Sequence, residues 1–187
     1  MRLLETIHIL EGEVLNLGYH QERLDRSRYQ LGFNDTLHLK LSPPKAGEYR
    51  CRVLYEKEIE KIEYLPYKRK DISSFKLVHA DLDYDLKYED RSEINALLKM
   101  HPEADDIIII KDTLITDTSI ANLCFFDGTH WLTPKKPLLH GTCRQRLLQT
   151  QKILPADIDY RSLKDFSKIA IMNAMTDFQI IENAIIL

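Results

Sequence analysis

Cysteine is scarce in this chain of 187 residues: Cys51, Cys124 and Cys143 are the only three, at wide spacing and with no CxxC pair. An odd, dispersed set argues against a disulfide framework and a thiolate zinc site, and points to a reducing, cytoplasmic setting. Long apolar runs are missing too. None exceeds four residues, the length of the run at 107–110, far below the roughly 20 residues a membrane-spanning helix needs. At the N-terminus Glu5 and Glu11 interrupt the stretch where a signal peptide would carry a basic start and an unbroken apolar core. Nor is there an excess of positive charge. The 26 basic and 29 acidic residues leave a net charge of -3, which argues against nucleic acid and membrane as partners but leaves room for a local site for an anionic small molecule. No GxGxxG, Walker, HExxH or GxSxG pattern occurs, so dinucleotide, P-loop, zincin and hydrolase-elbow chemistry have no direct support, and no metal site is expected.

What the chain does contain is an ordinary globular composition, 44% hydrophobic and 29% charged. Residues 3–10 and 13–17 flank Glu11-Gly12 in a hairpin-like pattern. Residues 20–31 follow with Leu24, Arg28 and Leu31 at helical spacing. After the breaker cluster Ser42-Pro43-Pro44, residues 49–55 and 59–67 predict a second antiparallel pair turning at Glu56-Lys57-Glu58. A helix containing Ile94, Leu97 and Leu98, capped by Asp90 or Ser92, stops before His101-Pro102. Four short strands are then expected at 107–111, 114–118, 123–126 and 131–133, as a meander. Residues 142–153 look helical until Leu154-Pro155, residues 162–168 are a further helix candidate, and 169–175 is either strand and turn or helix. The class is α+β, with a lobe boundary in residues 66–82. We divide the chain into a small N-terminal lobe, 1–75, and a larger C-terminal lobe, 76–187.

Five local features bear polar or nucleophilic groups, each with a plain structural alternative. His140-Gly141-Thr142-Cys143 opens a helix whose free N–H groups suit an anion, or is simply an N-cap by Thr142. The residues around Asp117, from Thr116 to Asn122, suit a ligand or a polar connection. Lys87 sits among aromatic and acidic residues, where a buried lysine becomes a nucleophile and a solvated one does not. Arg23 beside Leu24 forms an anion contact or a surface ion pair. Asn173, between Met172 and Ala174, is a site residue or a capped polar group in the core.

In their order along the chain, LLETI (3–7), HQERLDRS (20–27), LKYEDRSEIN (86–95), DDIIII (105–110), ITDTSIANLCFF (115–126), WLTPKKPLLHGTCRQRLL (131–148) and IMNAM (171–175) resemble the class IV aminotransferases. These are the fold-type IV pyridoxal phosphate (PLP) enzymes that include branched-chain and D-amino-acid aminotransferases and 4-amino-4-deoxychorismate lyase. The resemblance implies a two-lobed, D-amino-acid aminotransferase-like fold of mainly antiparallel sheets with helices, PLP as cofactor, and a homodimer with active sites near its interface.

The same resemblance assigns roles. Lys87 falls at the lysine that forms a Schiff base with the cofactor, which requires its amine to be neutral and so shifted below about 10.4. Asp117 falls on the acid facing the pyridine nitrogen, one methylene shorter than the family's usual glutamate. Arg23 matches the phosphate-binding arginine, and Thr142 and Cys143 match the positions whose backbone N–H groups complete the phosphate cup, with cysteine in place of a commoner hydroxyl residue. Ile120 and Leu139 would sandwich the ring as dry walls. Asn173 matches a position near the phosphate. Longer members carry roughly one more strand and a glycine-rich turn ahead of the segment matching LLETI, so the chain reads as a short member. The implied activity is that of an aminotransferase or a 4-amino-4-deoxychorismate lyase, with LKYEDRSEIN leaning toward the lyase. The competing reading is a non-catalytic descendant serving as a binding or assembly module.

Overall fold

The structure, a computed structural model, describes all 187 residues and divides into two compact units. The first comprises Met1–Arg69 and Leu86–Asp90, the second Lys70–Asp85 and Arg91–Leu187. The chain thus leaves the first unit earlier than the boundary drawn at residue 75, and comes back to it for residues 86–90.

The first unit is a four-stranded antiparallel sheet carrying one helix. Its strands are β1 (Leu3–Leu10), β2 (Glu13–Val14), β3 (Glu48–Tyr55) and β4 (Ile59–Pro66), in the order β2-β1-β3-β4, with helix α1 (Leu17–Gln30) between β2 and β3 in sequence. On β1 the alternate residues Leu3, Glu5, Ile7 and Ile9 are all fully buried, the period-2 pattern of a strand with one face on a core. Three of the four are aliphatic and join Leu24, Cys51, Val53 and Tyr55 in one cluster. The fourth, Glu5, is a carboxyl in the same row. On α1 the buried residues are His20, Arg23, Leu24, Ser27 and Arg28, a stripe at i, i+3, i+4, i+7 and i+8. Residues 86–90 belong here because Leu4 N–H donates to the Lys87 carbonyl at 2.8 Å and Leu3 bridges Tyr88.

The second unit is built on nine strands. Along the main path they run β10 (Leu154–Ala156), β9 (Trp131–Pro134), β8 (Asn122–Phe126), β7 (Leu114–Thr118), β6 (Asp106–Lys111), β5 (Ser74–His79) and β13 (Ile185–Ile186), while β11 (Lys168–Asn173) pairs with β8 and with β12 (Asp177–Ile181). Helices α2 (Ser92–Lys99) and α3 (Thr142–Gln149) and a 3-10 turn at Tyr160–Asp165 complete it. The expected meander is present as β6 to β9. Its core includes Phe75, Ile108, Ile110, Leu123, Phe125 and Ile171.

Several local expectations change. The segment 66–82 holds a strand, β5, parallel to β6, so the sheets are mainly but not wholly antiparallel. Neither Asp90 nor Ser92 caps α2; Arg91 occupies the N-cap, without a side-chain cap hydrogen bond. Helix α3 ends at Gln149, and Gln151 takes a left-handed φ of 54°. Pro155 then lies in β10, parallel to β9; it is tolerated there because β10 is the edge of the path, where an N–H is not needed. The helix expected at 162–168 is the 3-10 turn, with Asp159 accepting from Arg161 N–H, and residues 169–175 are strand and turn.

Candidate functional site

Among the eight candidate residues, Arg23 and Lys87 belong to the first unit, whereas Asp117, Ile120, Leu139, Thr142, Cys143 and Asn173 belong to the second.

In the first unit the dominant feature is a buried triad. Glu5 accepts from Arg23 Nε at 2.8 Å and from a terminal Arg23 nitrogen at 2.5 Å, and His20 Nδ1 lies 2.6 Å from the same carboxyl. Burial by itself would push Glu5 up, but the Arg23 charge and the hydrogen bonds from His20 and Arg23 outweigh it and hold the carboxyl at about 2. His20 is shifted down, first by burial and against the pull of Glu5; the charges of Arg23 and Lys87 act in the same downward direction. Neutral His20 therefore donates Nδ1–H to an ionised Glu5. The bidentate grip fixes the guanidinium plane of Arg23, and a fixed plane is what paired recognition of a phosphate or carboxylate requires. Lys87 lies half-buried in the loop that returns to β1. Sequence reasoning passed over Glu5 and His20 as functional. The available signal was an acid in the inward row of β1 and a histidine three residues before Arg23 on the same helical face.

In the second unit Asp117 is the centre. It sits on β7 directly across from Asn122 on β8, fully buried, and both its oxygens are engaged: Oδ1 by Asn122 Nδ2 at 2.7 Å, Oδ2 by Leu139 N–H at 2.7 Å. Burial pushes the carboxyl up to about 7, against the lowering effect of those two donors and of the Arg144 charge. Leu139 precedes α3 in the 138–141 segment. Thr142 is not the cap of that helix: Gly141 is the N-cap, with an extended backbone (φ -68°, ψ 146°), and Thr142 is the first helical residue. Space requires a glycine at 141, since a Cβ there would lie 2.1 Å from Asn122 Oδ1. Thr142 and Cys143 are buried, and their N–H groups are in the first turn, where an α-helix has no internal acceptor to offer. The Cys143 thiol, raised to about 12 chiefly by burial, stays protonated and points at Asp177 Oδ1, 3.3 Å away.

Ile120 and Asn173 are brought together, with Asn173 Nδ2 3.4 Å from the Ile120 carbonyl. The Asn173 side-chain Oδ1 closes the next turn by accepting from Met175 N–H, Thr176 N–H and the Thr176 hydroxyl at 2.8 to 3.1 Å. Ile120 tops the β7–β8 turn and is 43% exposed. That turn is held from both sides: Ser119 N–H donates to buried Asp106, and the Ser119 carbonyl accepts from Arg91.

Residues 87–184 match the amino-transferase class IV family. The chain belongs to that family. Its mainly antiparallel, two-unit α+β architecture is the fold-type IV architecture of its structural neighbours. An uncharacterised protein of Haemophilus influenzae is 40% identical over 182 residues, 92% of this chain and 97% of that one. A crystal structure of a candidate 4-amino-4-deoxychorismate lyase from Haemophilus somnus is 36% identical with a TM-score of 0.83, covering 93% of this chain and 96% of that one. A candidate amino-acid aminotransferase from Mesorhizobium loti superimposes with a TM-score of 0.83 over 100% of this chain and 99% of its own, at 19% identity, which shows the fold alone. A hypothetical aminotransferase from Mycobacterium tuberculosis, solved with PLP bound, has a TM-score of 0.78 at 17% identity. This class IV chain has no helix long and apolar enough to cross a membrane.

Proposed function

We propose that this class IV chain is a PLP-dependent enzyme that acts on 4-amino-4-deoxychorismate, or on an amino acid, through Lys87, and that it works as a cytoplasmic homodimer. The observation that carries the reading is the buried carboxyl of Asp117, held between Asn122 and Leu139 at the approach to α3. Its environment fits a ring nitrogen. A carboxyl held up at about 7 by burial would be able to share a proton with a heteroaromatic base. Within the second unit the group would be held by Asp117 at its ring nitrogen, by the first-turn N–H groups of Thr142 and Cys143 at its phosphate, and by Ile120 and Leu139 at its faces; the family resemblance gives Arg23 of the first unit as a phosphate ligand. When bound, PLP supplies an aldehyde for the lysine amine and an electron-withdrawing ring that stabilises negative charge at the substrate's reacting carbon.

The chain's own residues then have defined tasks. Lys87 holds and moves a proton at its Nζ. Glu5 keeps the Arg23 guanidinium in one plane, and His20, kept neutral, leaves the positive charge of the first unit's buried cluster to Arg23. Burial of Glu5, His20 and Arg23 within the first unit strengthens the electrostatic contacts among them. The lyase reading is favoured over the aminotransferase by the full-length similarity to the Haemophilus somnus protein.

The test is direct. Mixed with PLP, the chain should develop a visible absorbance band that Lys87→Ala lacks, and with aminodeoxychorismate it should release pyruvate and 4-aminobenzoate without any amino acceptor. Turnover only with an amino acid plus a 2-oxo acid would move the assignment to aminotransferase. No band in the native chain would sink the enzyme reading.

A further inference from the structure

We infer that Asn122 is the positioning residue for Asp117: its side-chain amide clips the carboxyl to the 139–141 segment, so that the acid and the start of α3 are oriented as one piece. Its chemical consequence rests on the reading of Asp117 as the acid that meets the cofactor ring.

The geometry closes on itself. Asn122 Nδ2 donates to Asp117 Oδ1 at 2.7 Å and to the Leu139 carbonyl at 2.8 Å, while Leu139 N–H donates back to Asp117 Oδ2 at 2.7 Å. The Leu139 carbonyl can only accept, as can the ionised Asp117 carboxylate, so the orientation of the amide is set: the NH2 faces them and Oδ1 faces away. Facing away, Oδ1 occupies the place where a Cβ of residue 141 would stand, 2.1 Å from it. A glycine whose φ of -68° any residue could adopt is therefore required for room. Asn122 and Asp117 are both buried and face each other across the β7–β8 pair, so neither amide nor carboxyl finds an easy substitute in water. The turn joining the two strands is itself closed by Thr118, whose N–H donates to the Ala121 carbonyl at 2.9 Å and whose Oγ1 accepts from Ala121 N–H at 3.0 Å.

The groups that bear on the Asp117 charge are few. They are Asn122 from β8, the Leu138 and Leu139 backbone from the loop, and Arg144 from α3, all of which favour the ionised form against burial. Asn122 is the largest of these stabilising contributions. Leu139 lies at the same time on the path into α3, whose first turn begins three residues later. A change in the Asn122 amide is thus transmitted to both the acid and the helix start, although Asn122 itself touches neither ring nor phosphate in this reading.

The experiment uses the full chain without cofactor and follows the Leu139 amide by 15N NMR as pH is raised from 5 to 9. That N–H donates to Asp117, so its shift reports the ionisation of that carboxyl. The native chain should show a midpoint near 7. Asn122→Ala should raise the midpoint by about one pH unit, a tenfold change in the ionisation constant and the size of one lost charge-assisted hydrogen bond. Gly141→Ala, which keeps Asn122 but pushes its amide aside, should move the midpoint in the same direction. Unchanged midpoints in both variants, with the chain folded by circular dichroism, would overturn the inference, as would shifts of opposite sign. Since no cofactor is present, this result stands apart from the absorbance test: a chain that never binds PLP still shows, or fails to show, the coupling between residues 122, 117 and 139.

Discussion

Substituting Asp117 by asparagine should remove a pH dependence that the native chain carries as a cost. Asp117 titrates at about 7 in the fold because burial disfavours its charge, against an ordinary value of 3.8. Its folded value is the higher of the two, so between about pH 4 and pH 7 the folded chain keeps a proton that the unfolded chain has lost. The stabilisation this provides is complete below 3.8 and is lost as pH rises through 7. At 1.36 kcal/mol for each unit, the whole difference is about 4 kcal/mol, and the part falling between pH 5 and pH 8 is about 2 to 3 kcal/mol. His20 works in the opposite sense over part of this range, since its folded value lies below 6.5 and its contribution is lost as pH falls. The difference between variant and native cancels it. The assay is urea unfolding of the cofactor-free chain at pH 5, 6, 7 and 8, read by fluorescence of Trp131, the single tryptophan, which packs between Phe126 and Phe178. Asp117→Asn should lose the decline. Its level at pH 5 should also lie lower, because an amide NH2 placed there faces a donor from either Asn122 or Leu139. A variant that keeps the native slope from pH 5 to pH 8 would refute the reasoning, since Asp117 would then already be ionised in the fold.

Glu5 gives the mirror case. Held at about 2 against an ordinary 4.5, it contributes about 3 kcal/mol above pH 4.5 that is lost as pH falls toward 2. Glu5→Gln should destabilise the chain by about 3 to 5 kcal/mol at pH 7, because it takes the carboxylate from a buried arginine, and the gap in urea midpoints should narrow at pH 3. In the core, Ile108→Ala should cost about 2 to 5 kcal/mol, because Ile108 is fully buried at the centre of β6; the same unfolding assay at pH 7 measures it, against Tyr29→Ala on the exposed face of α1 as a neutral control.

The local elements were legible wherever a short turn joined neighbours in sequence. Strands β3 and β4 pair across Glu56-Lys57-Glu58 as their alternation predicts, and the β6 to β9 meander follows from apolar runs separated by Lys111-Asp112 and Asp127-Gly128. Asp117 and the Thr142 region were also visible as polar groups in a suitable order. Strand β5 was not, because its partners are β6 in parallel and the C-terminal β13, and a parallel pairing leaves no turn to read. The same holds for Pro155, which reads as a helix stop until an edge position is known.

Composition and motif order by themselves determined the class, the family, and the kinds of group available for chemistry, since these depend on residue type and spacing. Only the tertiary structure decided where those groups are placed within each unit and what surrounds them. The return of residues 86–90 to the first unit is made by backbone pairing with Leu3 and Leu4, which no side-chain pattern encodes. Glu5, His20 and Arg23 become one charged cluster because a strand row and a helix stripe close on the same buried place. Asp117 acquires its raised proton affinity from burial, and its orientation from Asn122 and Leu139, contacts that exist only once β7, β8 and the approach to α3 have packed and water has been excluded.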